Sequence, residues 1–140
     1  MTVRFFCDDV LFSLKNKRKI SNWLKNVANA EEKKIDNLSY VFVTDNKILE
    51  INSEYLKHDY YTDIITFDNL LSGSKISGEM YISIDTVKQN AKDYKVEFEN
   101  ELLRVLVHGL LHLCGYNDDT KESKKLMRQK ENDYIKLFIV

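Results

Sequence analysis

The chain has 140 residues, of which 21 are basic and 22 acidic, giving a net charge of -1 with neutral histidines. That length holds one domain, 1–140, with a single aliphatic and aromatic core, and excludes two ordinary domains. The balanced charge excludes a globally basic nucleic-acid binder, so any polyanion has to be held by a local patch.

Two cysteines, Cys7 and Cys114, are too few for a disulfide scaffold. No apolar run reaches membrane-spanning length, and the first residues lack the order of a signal peptide. A cytoplasmic protein with free thiols is expected. With no proline, four glycines and no repeat, nothing marks an internal boundary.

In chain order, Val3 to Phe6 reads as a short strand, and Lys15 to Ala30 as a helix whose Ile20, Trp23, Leu24 and Val27 recur at helical spacing. Tyr40 to Val43 is a second strand. A helix follows with Asp45 as its N-cap, Ile48, Leu49 and Ile51 inward, and an end near Leu56. Ile64 to Phe67 and Glu79 to Ser83 are β-rich runs joined by a loop through Gly73, which predicts adjacent antiparallel strands. Ser83 or Asp85 caps a polar helix to Tyr94. Further helices run over 99–114 and from Thr120 to Leu137. The order predicts an α/β (α+β) fold: a small mixed four-stranded sheet packed with about five helices, with a metal site at the end of one of them.

That site is read from His108-Gly109-Leu110-Leu111-His112-Leu113-Cys114-Gly115-Tyr116-Asn117-Asp118. On a helix, His108 and His112 stand one turn apart on one face and converge on one cation. Gly115 can take the left-handed conformation that ends the helix and folds Asp118 back as a third ligand. Asp119 competes for that place, and an aspartate just before Thr120 also suits a helix cap. Two imidazoles and a carboxylate leave a fourth position for water, the pattern of a catalytic zinc site. The same intervals occur in zinc peptidases, but these need a glutamate where this chain has Gly109, which cannot move a proton. Cys114 points roughly 160 to 200 degrees from His112 around the helix, toward the core.

His108, Gly109, Leu111, His112, Leu113, Gly115 and Tyr116 match the signature H-G-x-L-H-L-x-G-Y-D-H position by position, and on them the chain resembles the YbeY endoribonucleases. Ile51-Asn52-Ser53-Glu54-Tyr55, Asp59 and Thr62-Asp63-Ile64-Ile65-Thr66-Phe67 are similar to that family's second motif, and Ser77-Gly78-Glu79-Met80-Tyr81-Ile82-Ser83 to its third. The resemblance implies a metal at the mouth of a cleft and single-strand-specific, zinc-dependent RNA cleavage. It implies work in rRNA maturation (16S rRNA 3′-end processing) and ribosome quality control, with rRNA and the small ribosomal subunit as partners and neither DNA nor membrane among them.

The chain departs from the pattern at three places. Asn117-Asp118 stands for Asp-His, so the third ligand is a carboxylate, which alters metal preference among Zn2+ and other divalent transition metals. Leu56 stands for an arginine, and an aliphatic chain cannot clamp a phosphate; Lys57 or His58 could supply that charge. Tyr61 stands for a proline. Beyond the metal ligands His108, His112 and Asp118, the catalytic residues stay open, with Asp63, His58 and Lys57 as candidates. Asp63 with Thr62 also reads as ordinary turn chemistry, and His58 as a solvated side chain. Tyr60-Tyr61 could stack on unpaired bases or pack inward. The run Lys15-Asn16-Lys17-Arg18-Lys19 reads either as a solvated face or as an RNA-backbone contact, and Lys121, Lys124, Lys125, Arg128 and Lys130 form a second possible rail. The RNA nucleophile is either water or the neighbouring 2′-hydroxyl. Two competing functions remain: a metal-dependent hydrolase of another substrate, and a ribosome assembly factor whose metal is mainly structural.

Overall fold

The computed structural model describes residues 2–55 and 62–139. Its elements are β1 (Thr2–Cys7), α1 (Lys17–Ala30), β2 (Lys34–Val43), α2 (Asp45–Tyr55), β3 (Ile64–Asp68), β4 (Lys75–Ser83), α3 (Ile84–Tyr94), α4 (Phe98–Leu113) and α5 (Lys121–Ile139). Among the described residues they make one sheet in the order β1-β2-β4-β3. β1, β2 and β4 run parallel, and β3 pairs antiparallel with β4. The expected α/β (α+β) fold, with a mixed four-stranded sheet and five helices, is the one observed.

Alternation along the strands gives the sheet two unequal faces. Leu38, Tyr40 and Phe42 of β2 and Met80 and Ile82 of β4 are fully buried, in one cluster with Trp23 and Leu24 of α1 and Leu106, Leu110 and Leu111 of α4. The opposite face holds a smaller cluster, Val43, Ile48, Ile51 and Ile65, under α2. Two polar groups anchor helices in the main core without being left unpaired. The Tyr40 hydroxyl donates to the Leu106 carbonyl at 2.8 Å, and the Trp23 indole donates to the Tyr134 carbonyl at 2.8 Å.

Several boundaries differ from those the sequence predicts. β2 starts at Lys34 rather than Tyr40, and β4 at Lys75 rather than Glu79, because the two strands pair across polar residues, with a register shift between Ile35 and Leu38. α1 starts at Lys17 rather than Lys15, since Asn16 is left-handed at φ 61 and cannot continue a helix. Asp45 is the first residue of α2, not its cap. The Thr44 hydroxyl accepts from the Lys47 amide at 3.3 Å, and the Asp45 carboxylate takes the Ser83 and Thr86 hydroxyls, each at 2.5 Å, joining α2 to α3. Ser83 caps α3, accepting from the Thr86 amide at 3.2 Å. Thr120 caps α5 from outside it in a reciprocal pair with Ser123, at 2.9 and 3.0 Å. The predicted end of α2 near Leu56 lies outside the described residues. Among the described residues, no helix is long and apolar enough to cross a membrane.

The helix that carries both motif histidines meets the sheet at two glycines. A Cβ at Gly109 would stand 2.3 Å from the Met80 sulfur and 2.9 Å from Ile64 Cδ1, and one at Gly78 would stand 3.1 Å from the Leu113 methyls of the helix. The backbone of α4 therefore lies on β4 closer than any side chain allows. We expect Gly109→Ala to lower the unfolding free energy by about 1–3 kcal/mol, the usual cost of overfilling a packed core, read as a lower urea midpoint at unchanged slope. An unchanged midpoint would show that Met80 swings aside freely.

Candidate metal centre

α4 divides its residues by face. Leu106, Leu110 and Leu111 are fully buried, while Glu101, Arg104, His108 and His112, spaced three and four apart, form a polar stripe toward α5 and β3. At the helix end, Gly115 takes φ +106. Its amide donates to the His112 carbonyl and that of Tyr116 to the Leu111 carbonyl, each at 3.0 Å, the paired bonds of a Schellman turn. The expected left-handed glycine is thus present, and it returns the chain across the histidines.

His108 Nε2 and His112 Nε2 lie 3.0 Å apart, and the Asp118 carboxylate is 3.4 Å from the first and 3.7 Å from the second. Donors that each bind one ion at about 2.1 Å stand no more than about 4.2 Å apart, so these three separations fit a shared cation. The chemistry of the set, two neutral imidazoles and a carboxylate, also suits a divalent transition metal. Asp119 is not part of it: its carboxylate accepts from the Ser123 hydroxyl at 3.3 Å.

Sequence reading missed the group behind His108. Glu131 of α5 is 4% exposed, and its Oε2 is 2.7 Å from His108 Nδ1, while its Oε1 accepts from Arg104 at 3.0 Å. Arg128 stands 3.8 Å away on the same oxygen. Its signal is a charge set into the apolar stripe Met127, Tyr134, Ile135 at helical spacing. Burial draws the pKa of His108 down, but the bond to Glu131 and the negative charges of Glu131, Asp63 and Asp118 more than reverse this, so it rises. Burial and the neighbouring His108 lower that of His112. Burial opposes the ionised form of Glu131, yet His108 and Arg104 hold its carboxyl below the ordinary range. With Glu131 taking Nδ1–H, Nε2 of His108 is left to face its partners.

Two open cavities meet at this cluster and share Asp63, His108 and Asp118. One, of about 440 Å³, runs along β3 past Asn52, Thr66 and His112. The other, of about 280 Å³, runs between α3 and α5 past Tyr94, Arg104, Lys124 and Arg128. Asp63 lies just before β3, and burial raises its pKa against the lowering effect of His108. The Thr62 hydroxyl makes a turn contact to the Ile64 carbonyl at 3.4 Å. Lys57 and His58, with Leu56, Tyr60 and Tyr61, lie outside the described residues. Cys114 is half-buried against the core, as expected, its thiol pushed up to about 11 by burial and Glu31. The α5 rail is partly neutralised: Lys130 pairs with Glu31 at 3.3 Å, and Arg128 lies by Glu131.

A second, partly buried junction holds the Asp118 loop. The Tyr116 hydroxyl donates to Glu31 at 2.6 Å, and the Tyr134 hydroxyl and Lys130 ammonium reach the same carboxylate. α1, α5 and the turn after α4 are joined there.

The fold and this cluster define a class: a small α/β protein with a His-His-Asp metal-type centre on the last turns of a buried helix. The sequence profile of the family described as Endoribonuclease YbeY matches residues 8–138, and the chain belongs to that family. It is 45% identical over 132 residues to Endoribonuclease YbeY of Parabacteroides distasonis, covering 94% of this chain and 92% of the relative. It is 44% identical over 138 residues to that of Christiangramia forsetii, covering 99% and 95%. The solution structure of TM1509 from Thermotoga maritima superimposes with a TM-score of 0.69 at 26% identity, over 98% of this chain and 89% of that one.

The Glu31 junction makes a pH prediction. Burial raises the carboxyl's pKa, but the Tyr116, Tyr134 and Lys130 bonds outweigh it and leave the folded value below the ordinary 4.5. A depressed folded value gives stability that is fully present above 4.5 and lost as pH falls through the folded value. Denaturant midpoints of the wild type should therefore fall more steeply below about pH 4.5 than those of Glu31→Gln. Parallel profiles would remove Glu31 from this role.

Proposed function

We propose that the chain is a zinc-dependent endoribonuclease of single-stranded RNA, acting as one domain over residues 1–140. Its expected setting is the cytoplasm, in rRNA maturation at the small ribosomal subunit. The observation that carries this reading is the convergence of His108, His112 and Asp118 within one ion's reach, at the junction of two open cavities. The relatives' name, Endoribonuclease YbeY, supplies the substrate class.

In this reading His108 Nε2, His112 Nε2 and an Asp118 carboxylate oxygen hold the metal, and the N/O donor set suits Zn2+. A metal held there would supply a Lewis acid for a phosphoryl oxygen and would lower the pKa of water to about 7. The other residues do the remaining work. Glu131 fixes the His108 tautomer by taking its Nδ1–H. Asp63 lines both cavities with a carboxyl that burial makes easier to protonate, so it is the group placed to give or take a proton. Gly109 leaves no carboxylate in the position that peptide hydrolysis requires.

His112→Ala should lose the bound metal and bring RNA cleavage to background. Metal analysis of untagged protein and a labelled unstructured RNA read the two effects. Cleavage that persists equally in the variant and under a chelator would overturn the reading; metal without any cleavage in the wild type would favour an assembly factor with a structural metal. The ends of the cut RNA separate the nucleophiles, since a 2′,3′-cyclic phosphate requires attack by the 2′-hydroxyl. Glu131→Gln should bind metal about 10–100-fold more weakly in competition with a chromophoric chelator. Equal affinity would reduce Glu131 to a packing group.

A further inference from the structure

The opposite edge of the sheet carries cations with nothing to pair with. β1 is the edge strand, bonded to β2 alone among the described residues, and α1 lies beside it. Lys17, Arg18, Ser21, Asn22 and Lys25 fall on one face of α1 and, with Arg4 and Phe6 of β1, line a shallow groove of about 610 Å³. No carboxylate lines it. Phe6 is 47% exposed there.

Four cations outside this groove are ion-paired among the described residues. Lys47 has Asp8, Arg104 has Glu101 and Glu131, Arg128 has Glu131, and Lys130 has Glu31. Arg4, Lys17, Arg18 and Lys25 have no ion pair or side-chain hydrogen bond among the described residues, although the chain has 22 acidic residues to supply one. Lys19 differs, since its ammonium sits 4.4 Å over the Phe138 ring. Four unpaired cations and an exposed aromatic ring along one groove complement a flexible polyanion whose bases can stack, which an acidic peptide does not offer.

We propose that this β1–α1 edge anchors the phosphodiester backbone of the RNA at a distance from the cleaved bond, with Arg4, Lys17, Arg18 and Lys25 on phosphates and Phe6 against a base. The inference rests on the ribonuclease reading above. Three strand spacings, roughly 14 Å, separate β1 from β3 across the sheet, so a long strand reaches both places and a short one does not. The edge then favours long single-stranded substrates regardless of sequence.

The test uses metal-loaded full-length protein and Lys17→Gln/Arg18→Gln/Lys25→Gln, with Phe6→Ala as a second variant that leaves the charge untouched. Fluorescence anisotropy with a long unstructured RNA is read against salt, and cleavage is read on a short oligonucleotide. The triple variant should bind the long RNA about tenfold or more weakly at low salt. Its slope of log affinity against log salt should flatten by about 2, from three lost phosphate contacts on a single strand. Short-oligonucleotide cleavage should stay at the wild-type rate, and Phe6→Ala should weaken long-RNA binding with the slope kept. Unchanged affinity and slope in the triple variant would overturn the proposal while leaving the ribonuclease reading intact. So would a loss confined to poly-glutamate binding, which marks a protein-docking edge. A wild type that cleaves no RNA would overturn both.

Discussion

The closeness of α4 to the sheet is the constraint on which the rest of this structure depends. Gly109 lets the helix backbone rest against Met80 and Ile64, and Gly78 accepts Leu113 from the other side, with Leu113 Cδ atoms 3.1 Å from where a Cβ would stand. Leu106, Leu110 and Leu111 are then carried to full burial, each contributing about 1.5–3 kcal/mol. These terms help offset the cost of burying Glu131 against the same helix, a cost its bonds to His108 and Arg104 also reduce. A helix held so firmly on its apolar face has no freedom left to choose where its polar stripe points. His108 and His112 project at the β3 edge because the leucines decide it.

The residues after α4 extend that rigidity to the third carboxylate. A turn with φ +106 at Gly115 would by itself leave a flexible tail, since only two backbone bonds hold it. Tyr116 removes that freedom by donating to Glu31, which also gathers Tyr134 and Lys130. Asp118 is two residues beyond a hydroxyl anchored in three elements, and Thr120 with Ser123 fixes the far side. The signature tyrosine is thus a mechanical part: it sets the reach of the loop.

What could be read from the sequence was whatever depends on local spacing. The four-residue interval of the histidines, the glycine that must turn left-handed, and the apolar recurrence in α1 all survive translation into three dimensions, because period and backbone freedom are properties of short segments. Glu131 and Glu31 were not legible in the same way. Each lies 23 or more residues from the group it serves, His108 in one case and Tyr116 in the other, and only tertiary packing brings them together. The first half of β2 was hidden for a related reason: Asp36 and Asn37 disfavour strands in isolation, and the pairing of Lys34, Ile35 and Leu38 with β4 on either side of them carries the strand through. Asp45 shows the converse error. It has the chemistry of a cap, but two hydroxyls from β4 and α3 compete for its carboxylate and win.

The electrostatics of the centre follow from the same arrangement. In the protein alone, His108 has its pKa raised and His112 has it lowered, although their Nε2 atoms face each other at 3.0 Å. Burial lowers both, and they part because Glu131 and Asp63 raise His108, whose own charge then lowers His112. One proton on the pair therefore belongs to His108, where it satisfies acceptors on both sides of the ring. The donor set that would hold a cation contains one carboxylate, Asp118, where the family signature has an imidazole. The replacement makes the donor set harder and one charge more negative, which would strengthen its attraction for a divalent cation. Glu131 adds its negative charge just behind, moderated by Arg104. An imidazole backed by a carboxylate is the more basic ligand, so His108, with Glu131 behind it, is the stronger donor of the two histidines.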